Sequence, residues 1–171
     1  MDFKSKLRHV LDFPKQGIDF IDITTVLQDA EAYKECLDTM ADRIRKVGEF
    51  DLIVGPESRG FILGAPLAYI LGKGFVPIRK KGKLPYKTIQ VEYQLEYGTD
   101  VLEMHQDAIK PGQRVVVVDD LLATGGTTES NIKLIEKLGG EVAGVFYFIE
   151  LTYLNGREKL KGYNVDSVVQ F

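Results

Sequence analysis

The sequence predicts an α/β fold: one domain built on an open, mainly parallel sheet of five strands flanked by helices. Three observations support this prediction. Short, continuously apolar, β-rich runs recur along the chain, as in strands covered on both faces. Segments with helical periodicity lie between several of these runs, and neither a repeat nor a low-complexity linker divides the 171 residues. Strand and helix in alternation favour parallel strands joined by right-handed crossovers.

The first strong element is an amphipathic helix. Asp29 is a typical N-cap, apolar residues recur at spacings of three and four from Tyr33 to Val47, and Gly48 stands at the C′ position. Buried strands and further helices are expected after it. The five predicted strands cover residues 51–55, 75–78, 114–119, 142–149 and 167–169, and two more helices cover residues 61–71 and 127–138.

Residues 88–105 break this alternation. Apolar and polar residues alternate from Ile89 to Glu96, a turn is expected near residues 98–100, and the apolar pattern resumes at Val101. A period of two with one polar face is typical of a half-exposed strand. The pattern predicts an antiparallel hairpin appended to the parallel sheet.

Composition excludes several classes of protein. The chain has 22 Lys and Arg residues against 25 Asp and Glu residues, a net charge of −3, which argues against general binding of nucleic acid or of anionic membranes. Its longest mostly apolar stretch, residues 61–71, is shorter than the roughly 20 residues of a membrane helix. The lone Cys36 cannot form an internal disulfide, and the first residues are too charged for a secretory signal, so we expect a cytoplasmic protein. His9 and His105 have no metal-ligand spacing and are expected to be structural.

One local feature departs from the acidic average. Five cations fall within nine residues, a density that suggests one anionic ligand held at one place, although a solvated loop is the ordinary explanation of such a run. The five are Arg79, Lys80, Lys81, Lys83 and Lys87.

The segment 115–128 is the most informative in the chain. An apolar strand ends in Asp119 and Asp120, and a Gly/Thr turn then opens a helix. Ligands of open α/β sheets bind at the carboxyl ends of the strands, where the next helix offers unpaired N–H groups and a positive dipole end. Gly125 and Gly126 allow the backbone to approach an anion closely. Hydroxyl donors are expected from Thr124, Thr127 and Thr128.

This turn is therefore interpreted as a phosphate site. It is neither a Walker A loop nor a GxGxxG dinucleotide site. The two carboxylates before it can accept hydrogen bonds from sugar hydroxyls or hold a metal that the ligand carries. A phosphorylated sugar fits both halves.

Several segments together resemble the type I phosphoribosyltransferases. The apolar strand, the acid pair and the Ala-Thr-Gly-Gly-Thr turn are similar to that family's motif for phosphoribosyl pyrophosphate (PRPP). Four further segments resemble members of the family that act on adenine, so that the resemblance covers nearly the whole chain. These segments are residues 13–20, 55–61, 79–85 and 95–98.

The resemblance implies a fold, a reaction and partners. The expected reaction transfers the 5-phosphoribosyl group of PRPP to N9 of adenine and gives AMP and pyrophosphate. Mg²⁺ would be bound through PRPP and pyrophosphate oxygens, with no ligand directly from the protein. A single domain over residues 1–171 is expected, with a small N-terminal hood over about 1–28 and a core over about 29–171, in a homodimer that binds neither nucleic acid nor membrane.

The resemblance also implies roles for individual residues. The 5-phosphate would be bound by Ala123, Thr124, Gly125, Gly126 and Thr127, and the ribose by Asp119 and Asp120. The pyrophosphate would be bound by Arg59, Arg79, Lys80 and Lys83, the last three on a mobile loop containing Gly82, with Lys81 and Lys87 as bystanders. Catalysis is expected from Glu96, Arg59 and Lys80, with Tyr97 beside Glu96, and adenine binding from Asp19, Phe20 and Ile21.

Some alternatives stay open at this point. Many family members carry an apolar residue where Asp19 stands and a basic one where Ile21 stands, so a 6-oxopurine is an alternative base if side chains select it. Glu92 shares a face with Glu96 and could be confused with it, and Phe20 could be a core aromatic. A non-catalytic PRPP-sensing regulator is a further alternative, which the acidic charge disfavours.

Overall fold

The computed structural model of the protein describes residues 1–95 and 98–171. Helices and strands alternate through most of this part of the chain. The helices are α1 (Phe3–Lys6), α2 (Thr24–Leu27), α3 (Ala30–Arg45), α4 (Arg59–Leu71) and α5 (Gly126–Lys137). The strands are β1 (Arg8–Leu11), β2 (Asp19–Asp22), β3 (Leu52–Pro56), β4 (Gly74–Lys80), β5 (Thr88–Leu95), β6 (Gly98–His105), β7 (Arg114–Leu122), β8 (Glu141–Glu150) and β9 (Val165–Gln170).

The chain divides into two compact units, Met1–Thr39 and Met40–Phe171, with the boundary inside α3. The first unit contains a two-stranded antiparallel sheet of β1 and β2. Asp29 caps α3 as predicted, because its Oδ1 accepts hydrogen bonds from the backbone N–H groups of Glu31 and Ala32, both at 3.1 Å. The domain boundaries expected from the sequence stay a prediction.

The second unit contains the sheet that the sequence predicts. Five strands run parallel in the order β4-β3-β7-β8-β9, which confirms the open, mainly parallel five-stranded sheet. The hairpin β5-β6 extends it to seven strands by pairing antiparallel to β4 through β6. Its central strand β7 is fully buried from Val115 to Val118, as the unbroken apolar run predicts for a strand covered on both faces.

Several local boundaries differ from the prediction. Strand β4 continues to Lys80, so Arg79 and Lys80 lie on a strand that pairs with β6, and the prediction that they belong to a mobile loop is wrong. Gly98, Thr99 and Asp100 are not a turn: they belong to β6 and pair with residues 95, 94 and 93 of β5. The polar composition of this tripeptide resembles that of a turn, but it lies on the exposed edge hairpin, where polar residues are tolerated within a strand. Helix α4 begins at Arg59, two residues before the predicted start, and β7 continues to Leu122, so the acid pair lies within the strand.

No helix in residues 1–95 and 98–171 combines the length and the apolar character needed to span a membrane.

Candidate active site

The site lies where the strand order changes direction. From β3 the chain crosses through α4 to β4 on one side, whereas β7 pairs with β3 on the other side. The loops that follow the two strands therefore diverge, and a crevice opens at their carboxyl ends, the usual ligand site of such sheets. A cavity of about 460 Å³ occupies this position. Its lining comprises Glu57, Ser58, Arg59, Lys80 and every residue from Asp119 to Thr128.

The turn after β7, residues 123–127, is called the phosphate loop after its predicted role. Gly125 adopts a left-handed conformation at φ 87° and precedes the first helical residue, Gly126, without a side-chain cap. The carbonyl of Gly125 accepts the N–H of Glu129 at 3.0 Å. The N–H groups of the first turn of α5 have no partner within the helix, so they can donate to an anion at the positive end of its dipole.

One predicted donor is engaged elsewhere. The Thr128 side chain is buried, and its hydroxyl forms a hydrogen bond with the hydroxyl of Tyr147 on β8. This hydrogen bond ties α5 to β8, and either hydroxyl can be its donor. Thr128 also lines the cavity, so its donation to a phosphate stays a prediction.

The acid pair is asymmetric. Asp120 is buried, and its Oδ2 accepts a hydrogen bond of 2.5 Å from Nε of Arg59, the first residue of α4. Asp119 instead accepts the backbone N–H of Asp120 at 2.8 Å through Oδ1. Burial and the adjacent Asp120 carboxylate raise the pKa of Asp119 well above its ordinary value, and the charge of Arg59 offsets this only in part. Among the residues that the structure describes, Asp120 is thus paired with a cation, Arg59, whereas Asp119 forms no ion pair.

Glu57, for which the sequence predicts no role, contacts the basic segment, residues 79–83. Glu57 follows β3, and its Oε1 accepts the backbone N–H of Lys80 at 2.7 Å while its Oε2 accepts from Nζ of Lys83 at 2.6 Å. Nε of Arg79 lies 3.3 Å from Glu57 Oε1, oriented for an ion contact rather than a hydrogen bond. Burial raises the pKa of Glu57, but the hydrogen bonds and charges of these cations outweigh burial and lower it overall.

The predicted pyrophosphate residues are thus brought together only in part. Arg59 and Lys80 line the cavity, and Nζ of Lys80 lies 3.2 Å from Asp100 Oδ2 on β6. Arg79 and Lys83 do not line it and instead surround Glu57. All four are therefore paired with carboxylates at or near the cavity.

Replacing Glu57→Gln is expected to lower the free energy of unfolding at pH 7 by about 1 to 2 kcal/mol, because two cations lose a partly buried counter-ion. The folded-state pKa of Glu57 is lowered, so its stabilisation is present above the unfolded-state pKa and is lost as pH falls through the folded-state pKa. Urea unfolding of both proteins from pH 7 down to pH 3 should show the difference shrinking.

The matched control for this change is Glu158→Gln. Glu158 pairs with Lys161 at 2.7 Å, but both side chains are exposed, so no measurable loss of stability is expected. Equal losses in the two variants, or a Glu57→Gln difference that does not change with pH, would show that Glu57 does not act as a counter-ion.

The predicted adenine residues lie in the first unit, on β2. Ile21 is buried, and Phe20 packs edge-to-face on Phe13 with ring centroids 5.3 Å apart. Oδ2 of Asp19 lies 2.7 Å from Nδ1 of His9 on the neighbouring strand. No pattern in the sequence predicts this pair, because it depends on the antiparallel pairing of β1 with β2.

Two predicted residues, Glu96 and Tyr97, lie outside the described residues. Glu92, the alternative to Glu96, is exposed on β5 and lines a different cavity beside α5. The position of Glu92 therefore does not support giving it the catalytic role predicted for Glu96.

Comparison with known proteins agrees with this geometry. Residues 22–170 match the family model described as a phosphoribosyl transferase domain. An adenine phosphoribosyltransferase of Acetivibrio thermocellus is 77% identical over the full length of both chains. The crystal structure of an adenine phosphoribosyltransferase of Thermoanaerobacter pseudethanolicus superposes with a TM-score of 0.95 at 56% identity, covering 98% of this chain and 97% of that one. The crystal structure of a Saccharomyces cerevisiae adenine phosphoribosyltransferase, solved with an imino-altritol bisphosphate and adenine, superposes with a TM-score of 0.93 at 36% identity. The match covers 96% of this chain and 95% of that one.

Proposed function

The chain belongs to the adenine phosphoribosyltransferases of the phosphoribosyl transferase family, and from this premise we propose how its cavity carries out the reaction. The protein is a transferase of a pentosyl group: it transfers the 5-phosphoribosyl group of PRPP to N9 of adenine and gives AMP and pyrophosphate, a step of purine salvage. The observation that carries the proposal is the single cavity lined by a phosphate loop, an acid pair and Arg59.

The residues divide by the charge they face. Breaking the bond between C1 of the ribose and pyrophosphate builds positive charge on the ring and negative charge on the leaving group, so fixed charges can stabilise both. We assign the 5-phosphate to Ala123–Thr127 and the ribose hydroxyls to Asp119 and Asp120. Arg59 and Lys80 bind the pyrophosphate, the former through its planar fork.

Arg79 and Lys83 join them once the pyrophosphate competes with Glu57 for their charge. In the absence of ligand this carboxylate holds the basic segment beside the cavity. An arriving pyrophosphate carries more negative charge than one carboxylate, which favours the exchange. Closure of the loop after β4, which carries Lys83, then excludes water, which would otherwise hydrolyse the activated sugar.

Mg²⁺ is proposed to arrive with PRPP. In the described part of the chain, no cluster of three or more His, Cys, Asp or Glu side chains could hold a metal alone. The Asp119 carboxylate, whose pKa is raised and which forms no ion pair within residues 1–95 and 98–171, suits a cation that the ligand carries. When bound, Mg²⁺ neutralises charge on the leaving pyrophosphate.

Base recognition is assigned to the N-terminal hood and the hairpin. Phe20 stacks on the purine, and the main chain at Asp19 and Ile21 reads its edge. One carboxylate oxygen of Asp19, Oδ2, is engaged by His9 within the hood, which supports the main-chain assignment. The other, Oδ1, is buried without a hydrogen-bond partner among the described residues. Glu96, with Tyr97 beside it, acts near purine N7 as an acid or base.

The assembly and compartment are proposals as well. Large apolar side chains are exposed on one face of α4 at Ile62, Tyr69 and Ile70, which supports a homodimer interface. Sedimentation velocity would distinguish a dimer from a monomer. The buried thiol of Cys36 suits a reducing cytoplasm.

The decisive experiment incubates the purified protein with PRPP, Mg²⁺ and an equimolar mixture of adenine, hypoxanthine and guanine. AMP and pyrophosphate should form in equal amounts, and adenine should be consumed first. Preferential formation of IMP or GMP would instead establish a 6-oxopurine enzyme. A folded protein that binds PRPP without any product would favour the regulator.

A further inference from the structure

A lysine outside every recognised motif lies against the phosphate loop. Lys159 belongs to a 3-10 segment, Gly156–Leu160. Its Nζ lies 3.8 Å from the position that a Cβ on Gly126 would take. Since Gly126 opens α5 and lines the cavity, the Lys159 ammonium stands at the rim of the phosphate site.

The charge of Lys159 is not compensated in the described part of the chain. Among residues 1–95 and 98–171, no carboxylate lies within ion-pair distance of Lys159, whereas its neighbour Lys161 pairs with Glu158 at 2.7 Å. A cation beside the N-terminus of a helix also faces the positive end of the dipole, which is unfavourable. Because the exposed ammonium of Lys159 is hydrated, only its contact with the dipole is unfavourable, and an anion bound between the ammonium and the helix would be attracted by both.

The segment that carries Lys159 is firmly anchored. Arg157 donates two hydrogen bonds of 2.7 Å to the two carboxylate oxygens of buried Glu150, at the carboxyl end of β8. The segment also packs backbone to backbone on the phosphate loop: a Cβ on Gly125 would lie 2.6 Å from the carbonyl oxygen of Gly156. The lysine therefore extends from a base that is fixed relative to the loop.

The open space at Gly126 is also consistent with an anion bound beside Lys159. A Cβ there would meet only ordinary contact distances, in contrast to Gly125, so the protein's own packing does not require glycine at 126. A bound anion that approaches the backbone does require it.

We propose that Lys159 is a further binding residue for the 5-phosphate of PRPP and of AMP, an inference that rests on the proposed function. The backbone N–H groups of the loop bind the phosphate from the helix side, and the ammonium binds it from the Gly156–Leu160 side. The ligand class is a sugar 5-phosphate, and pyrophosphate lies at the opposite, Arg59 side of the cavity.

The test compares Lys159→Met with the matched control Lys161→Met, two exposed lysines of the same region. Calorimetric titration with ribose 5-phosphate should give a Kd about tenfold weaker for Lys159→Met, because one charge-assisted contact is lost. The Kd for pyrophosphate should stay within about twofold, as should both constants of Lys161→Met. KM for PRPP should rise about tenfold with kcat nearly unchanged, and Lys159→Arg should recover most of the affinity.

Three results would overturn the proposal. They are wild-type affinity of Lys159→Met for ribose 5-phosphate, an equal loss of affinity for ribose 5-phosphate and pyrophosphate, and a wild-type protein that does not bind ribose 5-phosphate. Because ribose 5-phosphate binding needs no turnover, a wild-type protein that forms no AMP, together with a selective loss in Lys159→Met, would refute the proposed function alone.

Discussion

Asp119→Asn is expected to lower kcat/KM for AMP formation by about 10²- to 10³-fold while raising the melting temperature of the ligand-free protein by about 2 to 4 °C. Activity falls because a charge directed at the developing positive charge of the ribose is lost. Stability rises because the Asp119 carboxylate is held beside Asp120, whose own counter-ion, Arg59, is already engaged. The Asn carbonyl can still accept the N–H of Asp120.

The stability difference between the wild type and Asp119→Asn should depend on pH. Because the folded-state pKa of Asp119 is raised, the folded protein favours the protonated acid, and the stability of the wild type falls as pH rises from the unfolded-state pKa through the folded-state pKa. The Asn variant has no such loss. The difference in melting temperature should therefore be larger at pH 8 than at pH 4.

Asp120→Asn is the matched control, since it removes the other member of the pair. It should lower the melting temperature, because Arg59 loses its buried carboxylate partner. Differential scanning fluorimetry and initial rates on the three proteins decide the matter. Destabilisation by both substitutions, or wild-type kcat/KM in Asp119→Asn, contradicts the assigned role.

The opposite stability effects would express a general property of this cavity. We propose that its charges suit a ligand better than the empty protein. In the described part of the chain Asp119 and Lys159 form no ion pair, and Glu57 gathers cations that the pyrophosphate is proposed to take over. Such arrangements cost stability and gain transition-state binding.

The sheet could be predicted from the sequence because its signals are local. Strands such as β7, buried on both faces, must be apolar without interruption, and the helices between them carry their own caps and periodicity. The end of β5 and the start of β6 were misplaced because edge strands carry polar residues that resemble a turn. Tertiary pairing, not local preference, decides where such a strand starts.

In the candidate site too, the features that depend on local sequence could be predicted, whereas those that depend on tertiary packing could not. The Gly/Thr turn and the acid pair are contiguous in the chain, so their spacing alone predicts a phosphate site after a strand. Glu57 contacts Lys83, and Lys159 lies near Gly126, only because segments distant in sequence pack together. Periodicity in the sequence does not predict such pairs. Glu57 is the clearest example, because it lies within residues 55–61, which resemble the family, and yet its sequence position predicts no role.

Gly125→Ala has the second largest expected effect, a loss of about 2 to 4 kcal/mol in the free energy of unfolding together with loss of measurable affinity for ribose 5-phosphate. At φ 87° an L-residue is strained, and the added Cβ would lie 2.6 Å from the carbonyl oxygen of Gly156, which is backbone and cannot rotate away. The phosphate loop and the Gly156–Leu160 segment would have to separate. Chemical denaturation and calorimetric titration measure the two effects.

Gly126→Ala separates the two causes. It adds the same methyl group one residue later, where the nearest atom is Lys159 Nζ at 3.8 Å and alanine is a good helix former. This variant should unfold within about 1 kcal/mol of the wild type, yet bind ribose 5-phosphate at least about tenfold more weakly, because the methyl group occupies the approach to the backbone N–H groups. A stable Gly125→Ala protein would show that the loop does not depend on its left-handed glycine. Wild-type affinity in Gly126→Ala would show that the ligand does not approach the helix end, and the phosphate would then have to bind on another side of the cavity.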